Sequence, residues 1–420
     1  MATRGGVRAI SAASRTTLSA SHAFRALHSF TASVSLAEAE AHARNSAHCA
    51  ARANASSDPV MIARLTQIQM LRAVAAFLVL AAHLAVIETK YAIDPILPDW
   101  LSIGFAGVDL FFVISGFIMA RLADDAARGP GAASAFIIAR AGRIYPLYWT
   151  VTAAVTALWL VRPDMVFSSN TAPPDLVRSF LLWPDDAPPI LAVGWTLVHE
   201  MYFYVIFALV LLLPRQATLP ALLLWAALVT GGYVAGLGAA SPETRIAVHP
   251  LTFEFVAGAL AGFAFPRHAA KFGNAALALG AIAIAATLGA IVTTGLWRDD
   301  AFWMESWLRP ALFSVPGALL VFGLAARDLN GRAAPQLLAH LGDQSYALYL
   351  THVLSLSAAG RLWQMLPQSA SPLDNVIALA VLVLIAYAGA EIAFRLIDKP
   401  VRHLIRRATT QPRSAAIGSD

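Results

Sequence analysis

The sequence has little charge and almost no cysteine. Only 13% of its 420 residues are Asp, Glu, Lys or Arg, against about 25% in typical soluble domains. Hydrophobic residues make up 58%, and mean hydropathy is +0.64. The single Cys49 excludes an intramolecular disulfide and a cysteine-rich metal site. The strict polar-apolar alternation of a membrane β-barrel is also missing, so the composition indicates an all-α integral membrane protein.

The common signatures of soluble enzymes are absent as well. The sequence contains no phosphate-binding GxxxxGK[ST] loop, no GxGxxG dinucleotide fingerprint and no HExxH zinc motif. The net charge of +5 could suggest a nucleic-acid partner, but in a multi-pass protein excess arginine is typical of cytoplasmic loops. We therefore predict no metal site and no nucleic-acid partner, with the lipid bilayer as the surroundings of the chain.

The first 60 residues differ from everything that follows. They are rich in Ala, Ser and Arg, and no acidic residue precedes Glu38. Such a composition resembles an organellar transit peptide, and it also fits a disordered extension or upstream sequence ahead of a true start at Met61. We predict three parts: an extension over residues 1–60, a transmembrane domain over residues 61–405 and a cytoplasmic tail over residues 406–420.

Apolar runs of about 20 residues, the length that a transmembrane helix needs, recur from Thr66 onward. Basic residues are concentrated in alternate loops, which by the positive-inside rule predicts that both termini are cytoplasmic. The ten predicted spans are residues 67–87, 103–120, 144–161, 190–213, 217–237, 248–265, 275–296, 310–326, 342–360 and 375–397.

Two ionisable residues lie in the first span, where a buried charge is costly and usually faces an interior site. Arg72 and His83 are 11 residues apart, which places them on one helical face about 16 Å apart along the axis. A snorkelling arginine and a hydrogen-bonded interfacial histidine remain the alternative interpretation. Asp109 in the second span could orient His83, or it could be a carboxylate that the helix dipole stabilises.

Further polar residues occur in the third, fourth and ninth spans. Arg140 and Arg143 form a pair suited to a phosphorylated ligand, although positive-inside anchoring also explains them. Glu200 is predicted near the bilayer midplane, where a carboxyl group needs a partner, a proton or a water-lined cavity. The residues predicted to line such a cavity are Trp195 before Glu200, and Tyr349 and His352 on one helical face of the ninth span.

Together these motifs resemble the acyltransferase-3 family of bacterial membrane O-acyltransferases, over roughly residues 64–405. The WTLVHEMYFY segment most resembles the exopolysaccharide-production branch. The matching motifs are Arg72 with His83 ten intervening residues later, GVDLFFVISGF, the Arg140/Arg143 pair leading into RIYPLYW, the Trp195-to-Glu200 segment, and SYALYLTH.

The resemblance implies transfer of an acyl group, usually acetyl, from cytoplasmic acyl-coenzyme A to a hydroxyl of a surface polysaccharide or glycolipid, at the bacterial inner membrane. Acyl-coenzyme A would be a donor substrate rather than a tightly bound cofactor. His83 would be the leading catalytic residue, assisted by Asp109 or Glu200. Both direct transfer and a covalent acyl-enzyme remain open. The phosphates of the donor would bind to Arg140 and Arg143, with Arg72.

Two interpretations from other functional classes compete with this one. The buried charges could form the proton relay of a multi-pass transporter of a sugar or an acyl intermediate, although the spans show no recognisable inverted repeat. The chain could also be a non-catalytic assembly protein. Acyl-coenzyme A binding separates the first alternative from a transferase, and loss of activity on substitution of His83 separates the second.

Overall fold

The computed structural model describes residues 65–410 except 126, 167–172, 305 and 370. The predicted extension over residues 1–60 lies outside the described residues. Short 3₁₀-helices, among them Asp99–Ala106 and Ala192–Gly194, and a π-helical turn at Phe394–Asp398 connect the main helices. The α-helices are α1 (Thr66–Tyr91), α2 (Gly107–Asp125), α3 (Pro130–Val161), α4 (Leu176–Leu181), α5 (Trp195–Leu211), α6 (Thr218–Val234), α7 (Pro242–Ala247), α8 (Thr252–Thr294), α9 (Asp300–Met304), α10 (Leu308–Leu329), α11 (Gln336–Gln364), α12 (Pro372–Ala393) and α13 (Lys399–Thr410).

The described residues contain no β-strand, so the all-α prediction is confirmed for this part of the chain. Within it, eight helical stretches are long and apolar enough to cross a membrane. The count of ten stays a prediction. The eight stretches are Thr66–Tyr91, Asp99–Ala123, Pro130–Val161, Ala192–Leu211, Arg215–Val234, Pro242–Thr294, Leu308–Leu329 and Pro372–Leu404.

Two differences account for the gap between the ten predicted spans and the eight stretches. The predicted span at residues 342–360 lies in α11, which is 29 residues long but rich in polar side chains. The predicted spans at residues 248–265 and 275–296 lie in one stretch, in which helical residues continue through all 43 positions of α8. Pro266 lies inside α8, and proline removes a backbone hydrogen bond and bends or breaks a helix.

The contacts of α8 show that the chain reverses direction within it. A Cβ atom added to Gly258 would meet the backbone of Val113 in α2, and Gly317 of α10 also lies against Val113. Gly280 lies against Leu320, less than one turn from Gly317 along α10. A straight helix would separate Gly258 from Gly280 by about 33 Å. Gly258 and Gly280 therefore lie at nearly the same level beside α2 and α10, and the two halves of α8 run in opposite directions.

Adding a methyl group at the crossing of α8 and α2 should disturb this packing. Gly258 faces the carbonyl oxygen of Val113, which cannot move without displacing α2. We expect Gly258→Ala to lower the thermal unfolding temperature of the detergent-purified protein, with a cost of roughly 1–3 kcal/mol for overpacking. Gly289→Ala in the same helix is the matched control, because open space surrounds that position. Equal unfolding temperatures for the two variants would contradict the packing.

Helix α11 runs parallel to α1 and in contact with it. Gly342 lies against the backbone of Gln69 near the beginning of α1, and Gly360 lies against Tyr91 at its end. This alignment places His352 of α11 at the level of His83 of α1. We call the end of the bundle where α1 begins the Thr66 end, and the end where α1 finishes the Tyr91 end.

Candidate active site

A cavity with a volume of about 90 Å³ lies among α1, α2, α3, α5 and α11, which is enough for several water molecules. Apolar side chains such as Phe111, Phe112 and Ile144 form part of its wall. We call it the basic cavity, because three of its side chains are arginines. Its polar lining residues are Arg72, Ser115, Arg140, Arg143, Thr196, Glu200, Tyr204, Ser345, Tyr346 and Tyr349.

The three arginines of the basic cavity come from two helices. Arg140 and Arg143 are nearly one turn apart on α3, and Arg72 enters from α1, close enough to Arg143 for electrostatic repulsion between them. The Arg140 guanidinium lies 5.8 Å from the ring of Phe136. Among the described lining residues, Glu200 carries the only carboxylate. The cavity therefore has an excess of positive charge, which favours an anionic ligand.

Glu200 is held in place by two hydroxyl groups. Tyr204, one turn further along α5, donates a hydrogen bond to its Oε1, and Ser115 of α2 donates to the same atom at 3.2 Å. A partner was one of the three conditions that the sequence left open for this carboxyl group. These contacts fix Glu200 inside the basic cavity, where it can balance part of the arginine charge.

His83 and His352 form a pair of adjacent imidazole rings. Their ring centroids are 4.8 Å apart, and His352 Nε2 lies 3.3 Å from His83 Nδ1. Phe105 packs edge-on against His83 at 5.1 Å. His352 lies one helical turn beyond Tyr349, which lines the basic cavity. The histidine pair therefore lies just past the cavity, toward the Tyr91 end.

The carbonyl groups around the two rings determine which nitrogen atoms carry protons. His83 Nδ1 lies 2.9 Å from the carbonyl oxygen of Val79, and His352 Nδ1 lies 3.0 Å from that of Leu348 and 2.8 Å from that of Tyr349. A carbonyl oxygen only accepts hydrogen bonds, so each Nδ1 must be the donor. In the neutral ring, His83 Nε2 is then left with a free lone pair, as a general base requires.

Tyr349 and Thr196 close the basic cavity on the side of the histidine pair. Their hydroxyl groups share a hydrogen bond of 2.8 Å, and both can donate to the carbonyl oxygen of Val193. Tyr349 also packs 5.9 Å from the ring of Phe111 and 5.8 Å from that of His352. A ligand that reaches from the arginines to His83 must pass these side chains.

Asp109 binds an arginine that sequence reasoning did not assign to the site. Its two carboxylate oxygens accept hydrogen bonds from Arg309 of α10, at 2.8 and 3.0 Å. Both side chains are buried, with exposures of 1% and 3%. Among the described residues, no hydrogen bond joins Asp109 to His83, which differs from the pairing that the sequence suggested. Glu254, fully buried, interacts electrostatically with both Asp109 and Arg309.

Arg309 and Glu254 were missed because their partners are distant in sequence. Arg309 is 200 residues from Asp109, and its position just ahead of an apolar segment resembles an ordinary loop arginine. One signal in the sequence could have pointed to Arg309: it is followed directly by Pro310 at the start of an apolar run. His249 was also missed, although its ring lies 4.5 Å from that of the buried His199.

The predicted site residues fall into four places. Arg72, Arg140, Arg143, Glu200 and Tyr349 line the basic cavity. His83 and His352 form the adjacent pair. Asp109 belongs to the ion pair with Arg309. Trp195 begins α5 and packs edge-on against His199 at 5.7 Å. The roles predicted for these residues stay predictions.

The apolar helices, the internal basic cavity and the buried histidine pair are features of a multi-pass membrane enzyme. The sequence matches the acyltransferase-3 family, described as an acyltransferase domain, over residues 65–391. The chain therefore belongs to this family, and it is an enzyme that transfers acyl groups. This assignment favours a transferase over the transporter and the assembly protein.

The chain is similar over most of its length to two named proteins. The chain is 35% identical to the exopolysaccharide production protein ExoZ of Rhizobium meliloti (strain 1021) over 273 residues, which are 62% of this chain and 79% of ExoZ. It is 27% identical to the acyltransferase MdmB of Streptomyces mycarofaciens over 386 residues, which are 83% of this chain and 94% of MdmB. No solved structure matches the chain significantly.

Proposed function

We propose that the enzyme transfers an acyl group, acetyl in the simplest case, from acyl-coenzyme A to a hydroxyl of a surface polysaccharide or glycolipid. The observation that carries the proposal is the convergence of three arginines on one cavity next to a buried histidine pair. The polysaccharide acceptor is supported by the relative named for exopolysaccharide production.

The donor is inferred from charge and length. Coenzyme A carries phosphates at one end and, through a long flexible arm, the thioester at the other. Arg140 and Arg143 offer planar groups suited to phosphate. Arg72 and His83 share α1 and are about 16 Å apart along its axis, so the arm would extend from the arginines past Tyr349 to the histidine pair.

His83 is the proposed general base. Its Nε2 takes the proton of the acceptor hydroxyl as that oxygen attacks the thioester carbonyl carbon. The C–O ester bond forms, the C–S bond breaks, and the proton passes from His83 to the departing sulfur of coenzyme A. His352 acts as a positioning residue, because its Nε2 lies 3.3 Å from His83 Nδ1 and can share the proton that Nδ1 donates to Val79, which favours the positively charged ring.

We further propose ten crossings of the bacterial plasma membrane, with both termini in the cytoplasm. The reversal within α8 supports two crossings there, and the parallel contact of α11 with α1 supports another. Arg72 of the basic cavity lies within two turns of Thr66, so cytoplasmic coenzyme A would enter from the Thr66 end. The acceptor would then approach from the Tyr91 end, on the outer side.

Substitution of both Arg140 and Arg143 by glutamine tests the donor site. We expect the KM for acetyl-coenzyme A to rise by roughly 100-fold or more, since two charge-assisted hydrogen bonds are lost and each is worth about 1.5–3 kcal/mol. The kcat should change less, because the histidine pair is untouched. The assay uses purified protein in detergent, radiolabelled acetyl-coenzyme A and base-treated surface polysaccharide of the host.

Arg267→Gln is the matched control, because Arg267 is an exposed arginine of α8 that does not line the basic cavity. It should leave the KM for acetyl-coenzyme A unchanged. If the double variant also keeps the wild-type KM, coenzyme A binds elsewhere and the donor assignment is wrong.

A further inference from the structure

A second cavity, with a volume of about 310 Å³, lies at the Tyr91 end. It is bounded by the end of α1, the end of α3, the segment around Leu191 and the outer half of α11. We call it the outer cavity. None of the residues that line it was assigned a role from the sequence, and none of them lines the basic cavity.

The outer cavity brings hydrogen-bond donors together. Lys90 and Arg361 line it, with their charged groups 5.7 and 6.0 Å from the ring of Tyr91. Tyr91 is only 5% exposed, and its hydroxyl group has no hydrogen-bond partner among the described residues. Ser357 adds another hydroxyl group. A buried hydroxyl without a partner beside two cations points to a ligand that accepts hydrogen bonds.

No carboxylate is among the described residues that line this cavity. Asp164, on the 3₁₀ turn Pro163–Met165 beside it, is exposed and paired with Arg162 at 3.0 Å. The hydrogen bond from Arg162 lowers the pKa of Asp164, so its charge is already balanced within the turn. Arg361 donates one hydrogen bond to the carbonyl oxygen of Met165, and its remaining donors are available to an anion.

The rest of the wall is apolar. Its side chains include Val155, Leu158, Ile190, Val353 and Leu354. A free sugar would gain little from such a wall, whereas a hydrocarbon chain would lose its contact with water along it. We propose that the outer cavity binds the phosphate group of an amphiphile, with Lys90, Arg361 and the Tyr91 hydroxyl on the phosphate and the apolar wall along the chain.

Along α11, His352 lies between Tyr349, which lines the basic cavity, and Val353, which lines the outer cavity. Val353 directly follows His352, and Ala192 directly precedes Val193, whose carbonyl accepts hydrogen bonds from Thr196 and Tyr349. A molecule held here would present its attached groups near His83. The acceptor step of the proposal rests on the proposed function. In it, the amphiphile is the acceptor, a sugar joined to a lipid through a phosphate.

Binding is tested with radiolabelled dodecyl phosphate and the full-length protein in a neutral detergent. We expect saturable binding by the wild type, at least tenfold weaker binding by Lys90→Gln/Arg361→Gln and several-fold weaker binding by Tyr91→Phe, which keeps the ring. Arg298→Gln is the matched control, since this exposed arginine stacks on Trp297 at the same end and does not line the cavity. Inorganic phosphate and dodecanol should compete poorly.

Equal binding by the wild type and the Lys90→Gln/Arg361→Gln variant would overturn the site. Full competition by inorganic phosphate would overturn the amphiphile. Because this assay needs no turnover, its result stands whether or not coenzyme A is the donor.

A transfer assay separates an acceptor from an ordinary bilayer lipid. Dodecyl glucosyl phosphate should be acetylated with a KM at least tenfold below that of dodecyl glucoside, and the Lys90→Gln/Arg361→Gln variant should remove the difference. If phosphatidylglycerol displaces dodecyl phosphate, and dodecyl glucosyl phosphate and dodecyl glucoside have equal KM values, the cavity holds a membrane lipid and the acceptor step is wrong. If the wild type acetylates polysaccharide but neither dodecyl glucosyl phosphate nor dodecyl glucoside, the acceptor step also fails, although the phosphate site stands.

Discussion

Replacing His83 with alanine is expected to abolish acyl transfer while leaving the protein folded in the membrane. The substitution removes the nitrogen atom with a free lone pair beside the basic cavity, and a positioned general base contributes roughly 10²–10⁴-fold to a rate. The measurement compares ester-linked acetyl on purified surface polysaccharide from three strains: wild type, deletion, and deletion complemented with His83→Ala. Acetyl should disappear in the deletion and stay absent with the variant at normal protein level.

His340→Ala is the matched control, because His340 is an exposed histidine on α11 that bonds to Gln344 and lies far from the pair. It should restore acetyl fully. Wild-type acetylation by His83→Ala would show that this histidine is not the base. Unchanged acetyl in the deletion strain itself would instead mean that another polymer is the acceptor.

A conservative change at His352 separates positioning from bulk packing. In His352→Gln the amide oxygen can still accept a hydrogen bond from His83 Nδ1. The phenylalanine side chain of His352→Phe has no such acceptor. Because the proposed role acts through the base strength of His83, the phenylalanine variant should shift the acidic limb of the pH–rate profile to lower pH. A purely structural role would lower activity at every pH alike.

Helical periodicity within one span explains why part of the site was predictable. Arg72 and His83 share a face because their spacing is close to three turns, and Arg140 and Arg143 share a face for the same reason. Tyr204 reaches Glu200 because residues four apart on a helix are neighbours. These relations depend on local geometry alone, which the sequence contains.

The pairing of residues from different helices could not be predicted in the same way. Several arginines, among them Arg162, Arg298 and Arg309, flank predicted spans, and only the packing of α2 against α10 selects Arg309 as the partner of Asp109. The outer cavity likewise depends on how α1, α3 and α11 diverge at the Tyr91 end. The glycine contacts place a reversal within α8, whereas the two separate spans at residues 248–265 and 275–296 stay a prediction.

Substitution of Arg309 by methionine is expected to cause the largest loss of stability. It leaves Asp109 buried without its cation, next to the buried Glu254, and breaking one partner of a buried ion pair costs about 3–5 kcal/mol. We expect little folded protein in detergent extracts and a strongly lowered thermal unfolding temperature. Arg298→Gln, on an exposed arginine at the same end, should unfold like the wild type.

The double variant Asp109→Leu/Arg309→Met decides what the ion pair is for. Replacing a whole buried pair by apolar residues is often neutral or stabilising, so folding should recover much of the loss seen in Arg309→Met. Acyl transfer by the double variant then tests the predicted catalytic role of Asp109 separately from stability. Wild-type turnover would make the pair a structural link between α2 and α10, whereas a folded but inactive protein would mean that the carboxylate of Asp109 acts on the histidine pair through the polar groups around it.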